Sequence, residues 1–191
     1  MAGSAVETGH IEGLPLRVLG IDPGTAALGY GVVEEQQGAL VCAGYGCLHT
    51  PAGMPLAERL LHLYRSLQQL VKQYAPSAVA VEEVFFCRNQ RSAFAVGQAR
   101  AVALLAAAEA GLPVYEYSPL QVKMAVVGYG RATKAQVQDM MARGLGLESH
   151  PRPQDAADAL AVAVCCLLHR QTLSRLEEAR TPDEGQVGMG G

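Results

Sequence analysis

The sequence lacks the cysteine pattern that a disulfide framework or a zinc site requires. Its five cysteines form no Cys-x-x-Cys pair, and two of them, Cys165 and Cys166, are adjacent. Residues 1–15 contain no hydrophobic run long enough for a signal peptide or a membrane span. We therefore expect reduced, mostly buried thiols in a cytoplasmic protein that has no membrane partner.

A strong excess of basic residues, which is common in nucleic-acid-binding proteins, is also missing. The chain carries 15 Lys and Arg against 18 Asp and Glu, a net charge of −3. Between Arg17 and Arg170, however, 13 basic residues face 12 acidic ones, and if four of these acids held metal ions the remaining charge would be +5. Composition is therefore neutral on DNA binding.

Length and polarity predict a single folded domain. Half of the 191 residues are apolar, which is enough for one sizeable core. Residues 1–16 are mostly small or polar, and we expect a flexible leader there. The chain becomes polar again beyond Arg170, so we expect a disordered tail over residues 171–191. The predicted domain spans residues 17–170.

An apolar segment that ends in an acid opens this domain. Residues 17–21 lead into Asp22, a Pro-Gly turn follows, and residues 28–33 form a second apolar segment. The pattern predicts two strands joined by a tight connection. Because burial disfavours a charged carboxylate, Asp22 must be paired or functional there. The alternative is that Asp22 only caps the turn.

A second apolar segment repeats the pattern. Residues 78–81 are Ala-Val-Ala-Val and run directly into Glu82 and Glu83. Continuous apolarity is typical of a strand covered on both faces, as in a parallel sheet. Functional sites of open α/β sheets lie at such strand ends.

The order of predicted elements indicates an α/β fold. Three strands at short spacing predict antiparallel pairing, and an amphipathic helix over residues 56–74 follows them. The strand before Glu82, an Ala-rich helix over 92–110 and a strand over 112–117 come next. Two short helices and a final apolar helix complete the chain. The Ala-rich helix is apolar nearly all round, so we expect it in a subunit interface.

Asp155 and Asp158, three residues apart at the start of the final helix, can project from the same face. Their alternative role is a favourable interaction with the helix dipole. If the strand ending in Glu82 lies beside the strand ending in Asp22, the final helix could bring all four acids together. Crowded carboxylates repel one another unless divalent cations separate them, and oxygen ligands favour Mg²⁺ or Mn²⁺. Two such ions could activate a water for phosphoryl displacement.

Six segments carry a resemblance to a known family. They are Ile-Asp-Pro-Gly-Thr (21–25), Gly-Tyr-Gly-Val (29–32), Val-Glu-Glu-Val-Phe (81–85), Gly-Gln-Ala-Arg (97–100), Val-Val-Gly-Tyr-Gly (126–130) and Asp-Ala-Ala-Asp-Ala-Leu (155–160). Together they resemble the RuvC family of Holliday junction resolvases over residues 17–170. The resemblance implies a ribonuclease H-like fold, in which helices flank a mixed five-stranded sheet whose first three strands are antiparallel.

The same resemblance implies a function. It implies an endodeoxyribonuclease that resolves four-way DNA junctions by paired symmetric nicks during recombination and repair. A homodimer suits a two-fold symmetric junction. The branch-migration proteins RuvA and RuvB are the implied partners.

By position, the family's catalytic and metal-binding acids fall on Asp22, Glu82, Asp155 and Asp158, and Glu83 is a flanking residue. The resemblance implies two Mg²⁺ ions per active site, with Mn²⁺ able to substitute. Asp22 would bridge both ions. Glu82 and Asp158 would each hold one, and Asp155 would complete or orient the set.

The resemblance also gives candidates for DNA contacts. Lys123 and Lys134 match family lysines near the scissile phosphate, where a cation could stabilise developing charge. Phe85 matches an aromatic residue at the junction core, where it could stack on unpaired bases. The remaining candidate phosphate contacts are Arg88, Arg91 and Arg100, although Arg100, on the apolar helix, could serve structure instead.

Three rival functions stay open. A nuclease of the same fold that trims ribosomal RNA precursors is one, although residues 155–160 and the loop around Phe85 favour a junction enzyme. An ATPase or sugar kinase shares the Asp-x-Gly-Thr turn, but such folds usually need two domains of this kind. A non-cleaving junction scaffold would share the fold, but four intact acids argue against it.

Overall fold

The computed structural model describes the backbone of residues 16–83 and 90–178, and their side chains except at 90–92 and 177–178. The described elements are β1 (Arg17–Asp22), β2 (Ala27–Gln36), β3 (Ala39–His49), α1 (Leu56–Tyr74), β4 (Ala78–Glu82), α2 (Gln90–Glu109), β5 (Val114–Tyr117), α3 (Pro119–Val127), α4 (Lys134–Gly144) and α5 (Gln154–Glu178).

The strands form one mixed sheet in the order β3-β2-β1-β4-β5. The first three strands are antiparallel, whereas β4 runs parallel to β1 and β5 runs parallel to β4. This topology confirms the predicted α/β fold. In the β1–β4 pairing Ile21 lies opposite Val81, so the acids that end these two strands are neighbours.

Two helical layers cover the sheet because both central strands are apolar on both faces. Leu19 and Ile21 of β1 pack with Val79 and Val81 of β4 against α1 and α2. Val18 of β1 and the alanines of β4 pack instead against α3, α4 and α5. Because side chains alternate along a strand, Asp22 and Glu82 belong to the face that α5 covers.

Helix α5 lies very close to the sheet because β1 and β2 carry glycines beneath it. A Cβ atom at Gly20 would overlap the carbonyl oxygen of Ala159, and one at Gly29 would overlap that of Asp155. By length and composition α5 could cross a membrane, but 61% of its most apolar window is buried inside the fold. The helix is therefore the central element of this layer, and the glycines fix where its first turn sits.

Both predicted domain boundaries need correction. Helix α5 continues to Glu178, eight residues beyond Arg170, so a disordered tail from residue 171 is wrong for residues 171–178. Their polarity is that of an exposed helix end, where Gln171 Nε2 donates a 2.9 Å hydrogen bond to the Glu35 carboxylate. Leu16, assigned to the leader, packs on the core and accepts a hydrogen bond from the Glu35 amide. Residues 1–15 and 179–191 lie outside the described residues.

Candidate active site

Asp22 and Glu82 stand side by side at the ends of two parallel strands. Each follows directly after the paired residues Ile21 and Val81, and both are half-buried. Their neighbours in the sheet extend this row, because Asp22 pairs with Gly29 of β2 and Glu82 pairs with Tyr117 of β5. Two acids are thus held at one edge of the sheet by backbone pairing alone.

Asp155, in the first turn of α5, and Asp158, at the start of its second turn, reach the same place. The backbone of Asp155 rests on Gly29, the cross-strand partner of Asp22. Acids at this position suit the positive end of the helix dipole. The carbonyl of Pro153 accepts the amide of Ala156 at 3.1 Å and so closes the first turn. The start of α5 therefore sits over the acid ends of β1 and β4.

The electrostatics of these groups reflect their proximity. Burial, followed by the negative charges of Glu82, Asp158 and Asp155, raises the pKa of Asp22 from its ordinary value of 3.8 to about 8. Burial and the Asp158 charge also raise the pKa of Glu82. Asp22 thus lies within the electric field of the other three acids that the sequence analysis selected, and the four form a cluster of negative charge.

Lys134 is the cation nearest this cluster among the described contacts. Its Nζ lies 2.8 Å from Asp158 Oδ2, and this hydrogen bond raises the pKa of Lys134. The residue begins α4 directly after Thr133, whose side chain accepts the Gln136 amide while the Gln136 side chain accepts the Thr133 amide. The charge of Lys134 lowers the pKa of Asp22 and Glu82, and that of Lys123 on α3 lowers the pKa of Glu82.

The donor set fits hard divalent cations. Carboxylate oxygens from four residues are the ligands that Mg²⁺ and Mn²⁺ prefer, and bound cations would offset the repulsion that raises the pKa of Asp22. In residues 16–83 and 90–178 no three His, Cys, Asp or Glu side chains already form a metal-ligand group. Lys134 instead supplies the positive charge at Asp158, so metal binding requires these side chains to rearrange.

The thiol of Cys47 borders the cluster. Its Sγ lies 4.0 Å from Asp155 Oδ2, because Cys47 pairs across β3 and β2 with Gly29. Burial, followed by the charges of Asp155 and Asp22, raises its pKa to about 11. Cys47 therefore stays protonated at neutral pH in the metal-free site.

The remaining candidates for DNA contact divide into two groups. Arg100 on α2 forms an ion pair with Glu116 on β5, which gives it a structural role between helix and sheet. Phe85 and Arg88 lie outside the described residues. Arg91 lies on α2, but its side chain lies outside them as well.

Two polar groups at the site were not expected from the sequence. Gln154 Nε2 donates a 2.9 Å hydrogen bond to Asp158 Oδ1, and the Cys47 thiol faces Asp155. The four-residue spacing between Gln154 and Asp158 is a helical signal that would have found the first contact. The second depends on strand register, for which no local sequence signal exists.

Comparison with known proteins places these residues in a family context. The family model described as Crossover junction endodeoxyribonuclease RuvC matches residues 18–166. A relative of that name from Chloroflexus aggregans is 56% identical over 160 residues, which are 84% of this chain and 98% of the relative. Another from Desulfitobacterium hafniense is 57% identical over 148 residues, 78% of this chain and 90% of the relative.

Solved structures give a similar result. RuvC from Thermus thermophilus in complex with a Holliday junction substrate is 39% identical, with a TM-score of 0.79 over 83% of this chain and 97% of that one. A second structure of the Thermus thermophilus protein gives a TM-score of 0.76 at 40% identity, over 82% of this chain and 96% of that one. The yeast mitochondrial Holliday junction resolvase, with a TM-score of 0.58 at 12% identity over 85% of this chain and 83% of that one, shares the fold.

Proposed function

This chain belongs to the RuvC family of crossover junction endodeoxyribonucleases, and we propose that it resolves four-way DNA junctions with a metal site built from Asp22, Glu82, Asp155 and Asp158. The observation that carries the proposal is the convergence of these acids. Two come from the ends of β1 and β4, and two come from the first two turns of α5, which the glycines of the sheet bring close. The negative charges of the other three acids add to the effect of burial, and together they raise the pKa of Asp22 to about 8.

These acids would hold divalent metal ions, which would supply an activated water and stabilise the leaving oxygen of the phosphodiester. We propose two Mg²⁺ ions per site, with Mn²⁺ able to substitute. Asp22 is the proposed shared ligand because its pKa is raised by the charges of Glu82 and of both acids of α5. The sheet and α5 hold the backbones of the four acids close together before DNA arrives, so only their side chains have to reorient when metal ions bind.

Two lysines are proposed to serve the phosphate. The side chain of Lys134 is 69% exposed although its Nζ bonds Asp158, so it can turn from the carboxylate toward an incoming phosphate. The positive charge of Lys123, on α3, lowers the pKa of Glu82, so Lys123 is also close to the site. Phe85, Arg88 and Arg91 stay as proposed contacts for the junction core and the flanking phosphates.

A homodimer is proposed because paired nicks in a two-fold symmetric junction need two active sites. Helix α2 is the proposed interface. Its Phe94 is 75% exposed and its Leu105 is 58% exposed, which is unfavourable for apolar side chains in water. We further propose action on DNA in the cytoplasm together with the branch-migration proteins RuvA and RuvB.

The direct experiment uses a synthetic four-way junction labelled in turn on each strand, with Mg²⁺ or with chelator. We expect paired, metal-dependent nicks at symmetric positions on opposing strands. Cleavage of linear RNA alone would support the ribosomal RNA nuclease instead. Junction binding without any cleavage would support the scaffold.

A variant separates binding from cleavage. Asp22→Asn should bind the junction as the wild type does and cut at least 1,000-fold more slowly, on the order expected when a metal-bridging ligand is lost. Asp139→Asn is the matched control, because Asp139 pairs with Arg143 on α4 outside the cluster. Substantial cleavage by Asp22→Asn would remove Asp22 from the mechanism.

A further inference from the structure

The carboxylate of Asp158 is held at both of its oxygens, by two different groups. Gln154 Nε2 donates to Oδ1 at 2.9 Å, and Lys134 Nζ donates to Oδ2 at 2.8 Å. The plane of this carboxylate is therefore defined before any metal binds. The two donors differ in how easily each can leave the Asp158 carboxylate.

Lys134 is the exchangeable donor. It comes from another helix, and its side chain is 69% exposed. Its bond to Asp158 is an ion pair, and a metal ion at Oδ2 would supply the positive charge in place of the lysine. The bond between Lys134 and Asp158 thus marks the oxygen that becomes available when a cation arrives.

Gln154 is the permanent donor. It lies on α5 itself, one turn before Asp158, and is half-buried. A neutral amide neither repels a metal ion nor competes for it, and the i,i+4 spacing is built into the helix. When Lys134 leaves, Gln154 therefore keeps Oδ1 occupied.

From this asymmetry we infer that Gln154 is a positioning residue that makes Asp158 bind metal through one oxygen only. This inference rests on the proposed function of Asp158 as a metal ligand. Mg²⁺ requires nearly ideal octahedral geometry, and a carboxylate that binds through only one oxygen fits that geometry. Ca²⁺ is larger and accepts carboxylates through both oxygens. Gln154 therefore favours the smaller ion over Ca²⁺, in the way that groups behind a metal ligand commonly tune a site.

The test measures metal binding without DNA. The free Mn²⁺ signal in electron paramagnetic resonance gives the Mn²⁺ affinity, and displacement of Mn²⁺ by Mg²⁺ or Ca²⁺ gives the other two. For Gln154→Leu we expect Mg²⁺ affinity to fall about tenfold, near the lower end of what loss of such a hydrogen bond costs. Ca²⁺ affinity should stay within about twofold, because the freed Oδ1 can now join the coordination.

Three comparisons make the result decisive. Gln171→Leu, on the same helix but bonded to Glu35, should leave all affinities unchanged. Adding Gln154→Leu to Asp158→Asn should have no further effect if Gln154 acts through Asp158. Gln154→Ala, which favours the helix, repeats the measurement if Gln154→Leu is poorly folded.

The outcomes are distinct from those that test cleavage. Unchanged Mg²⁺ affinity in both Gln154 variants, an equal loss of Mg²⁺ and Ca²⁺ affinity, or a further effect on top of Asp158→Asn would overturn the inference. If the wild type binds metal but cuts no junction, the proposed function fails while this test still stands. In the cleavage assay, Gln154→Leu should need about tenfold more Mg²⁺ for half-maximal rate, with junction binding in chelator unchanged.

Discussion

Gly29 and Asp155 are in backbone contact across the interface between the sheet and α5. A Cβ atom at residue 29 would overlap the carbonyl oxygen of Asp155, so only glycine allows the helix to start here. Gly29 is also the cross-strand partner of Asp22. One residue without a side chain therefore sets the separation between an acid of the strand and an acid of the helix.

Gly29→Ala should damage the site more than the fold. The added methyl group must push the first turn of α5 outward, which displaces Asp155 and Asp158 together. We expect junction cleavage to fall about 100-fold, since small misplacements of catalytic groups have effects of this order. The free energy of unfolding should fall by about 1–3 kcal/mol, as in other overpacked cores. Cleavage rates and denaturant unfolding measure the two effects.

Gly144→Ala is the matched control for that substitution. Gly144 ends α4, and a Cβ atom there would have no neighbour within 4 Å. Cleavage should stay within twofold of the wild type. Full activity of Gly29→Ala would show that the start of α5 can shift without harming the cluster.

Asp22→Asn should stabilise the metal-free protein, and more so at higher pH. The raised pKa of Asp22, about 8 against 3.8, means that the folded protein keeps a proton that the unfolded chain releases. Below about pH 4 the folded and unfolded forms both carry this proton, and the wild-type protein is most stable. Its free energy of unfolding then falls as the pH rises from about 4 to about 8, because only the unfolded chain releases the proton in that range. The variant cannot ionise there, so its advantage should grow between pH 5 and pH 8 to about 2 kcal/mol or more.

Thermal unfolding in chelator at pH 5, 6.5 and 8 checks this prediction. Glu58→Gln, an exposed position on α1, serves as the control and should show no such trend. An advantage of Asp22→Asn that is the same at every pH would contradict the buried, shifted carboxyl group.

Lys134→Met should move the pH dependence of cleavage. The lysine charge lowers the pKa of Asp22 and Glu82. Its removal makes both acids harder to deprotonate, and metal binding requires the deprotonated form. The acidic limb of the pH–rate profile at fixed Mg²⁺ should shift to higher pH, and the plateau rate should fall about 100-fold.

Lys134→Arg retains the charge and should leave the acidic limb in place. If Lys134→Met lowered the rate without moving that limb, the lysine would act on the phosphate alone and not on the carboxylates.

Cys47 should be slow to alkylate, and Asp155→Asn should speed it. The thiol pKa of about 11 leaves little thiolate at pH 8, and the Asp155 charge is the second largest cause after burial. Removing that charge should lower the thiol pKa, and the larger thiolate fraction should raise the rate of iodoacetamide modification about three- to tenfold. Peptide mass analysis assigns the modified residue.

The same digest contains an internal control. Burial raises the pKa of Cys42, with no contribution from an acid of the cluster. Its alkylation rate should therefore not respond to Asp155→Asn. A similar acceleration at both cysteines would indicate local opening and not an electrostatic effect.

Much of this arrangement could be predicted from local patterns. Apolar strand segments that end in Asp22 and Glu82 predict acids at one edge of a sheet. Ser118 followed by Pro119, and Thr133 followed three residues later by Gln136, are typical of helix starts, and both residues cap helices in the structure. The spacing of Asp155 and Asp158 predicts a shared helix face. These features can be predicted because strand alternation, helix capping and helical spacing depend only on short segments of the sequence.

Other features depend on packing between distant segments. The bond from Lys134 to Asp158 exists because α4 docks beside the start of α5, and neither helix encodes that alone. Arg100 looked like a candidate for phosphate binding until its partner on β5 was known. Residues 171–178 looked disordered because polarity was the only local signal, whereas the preceding helix continues into them.

The order of the acids along the chain has a consequence for protein synthesis. Asp22 and Glu82 leave the ribosome early, but Asp155 and Asp158 belong to α5, the last element in the part of the chain that the structure describes. A nascent or prematurely terminated product that stops before α5 carries half of the cluster and leaves the covering face of its sheet open. Under the proposed function, which needs all four acids, such fragments should not hydrolyse DNA, and the chromosome would meet an active nuclease only after α5 has been made.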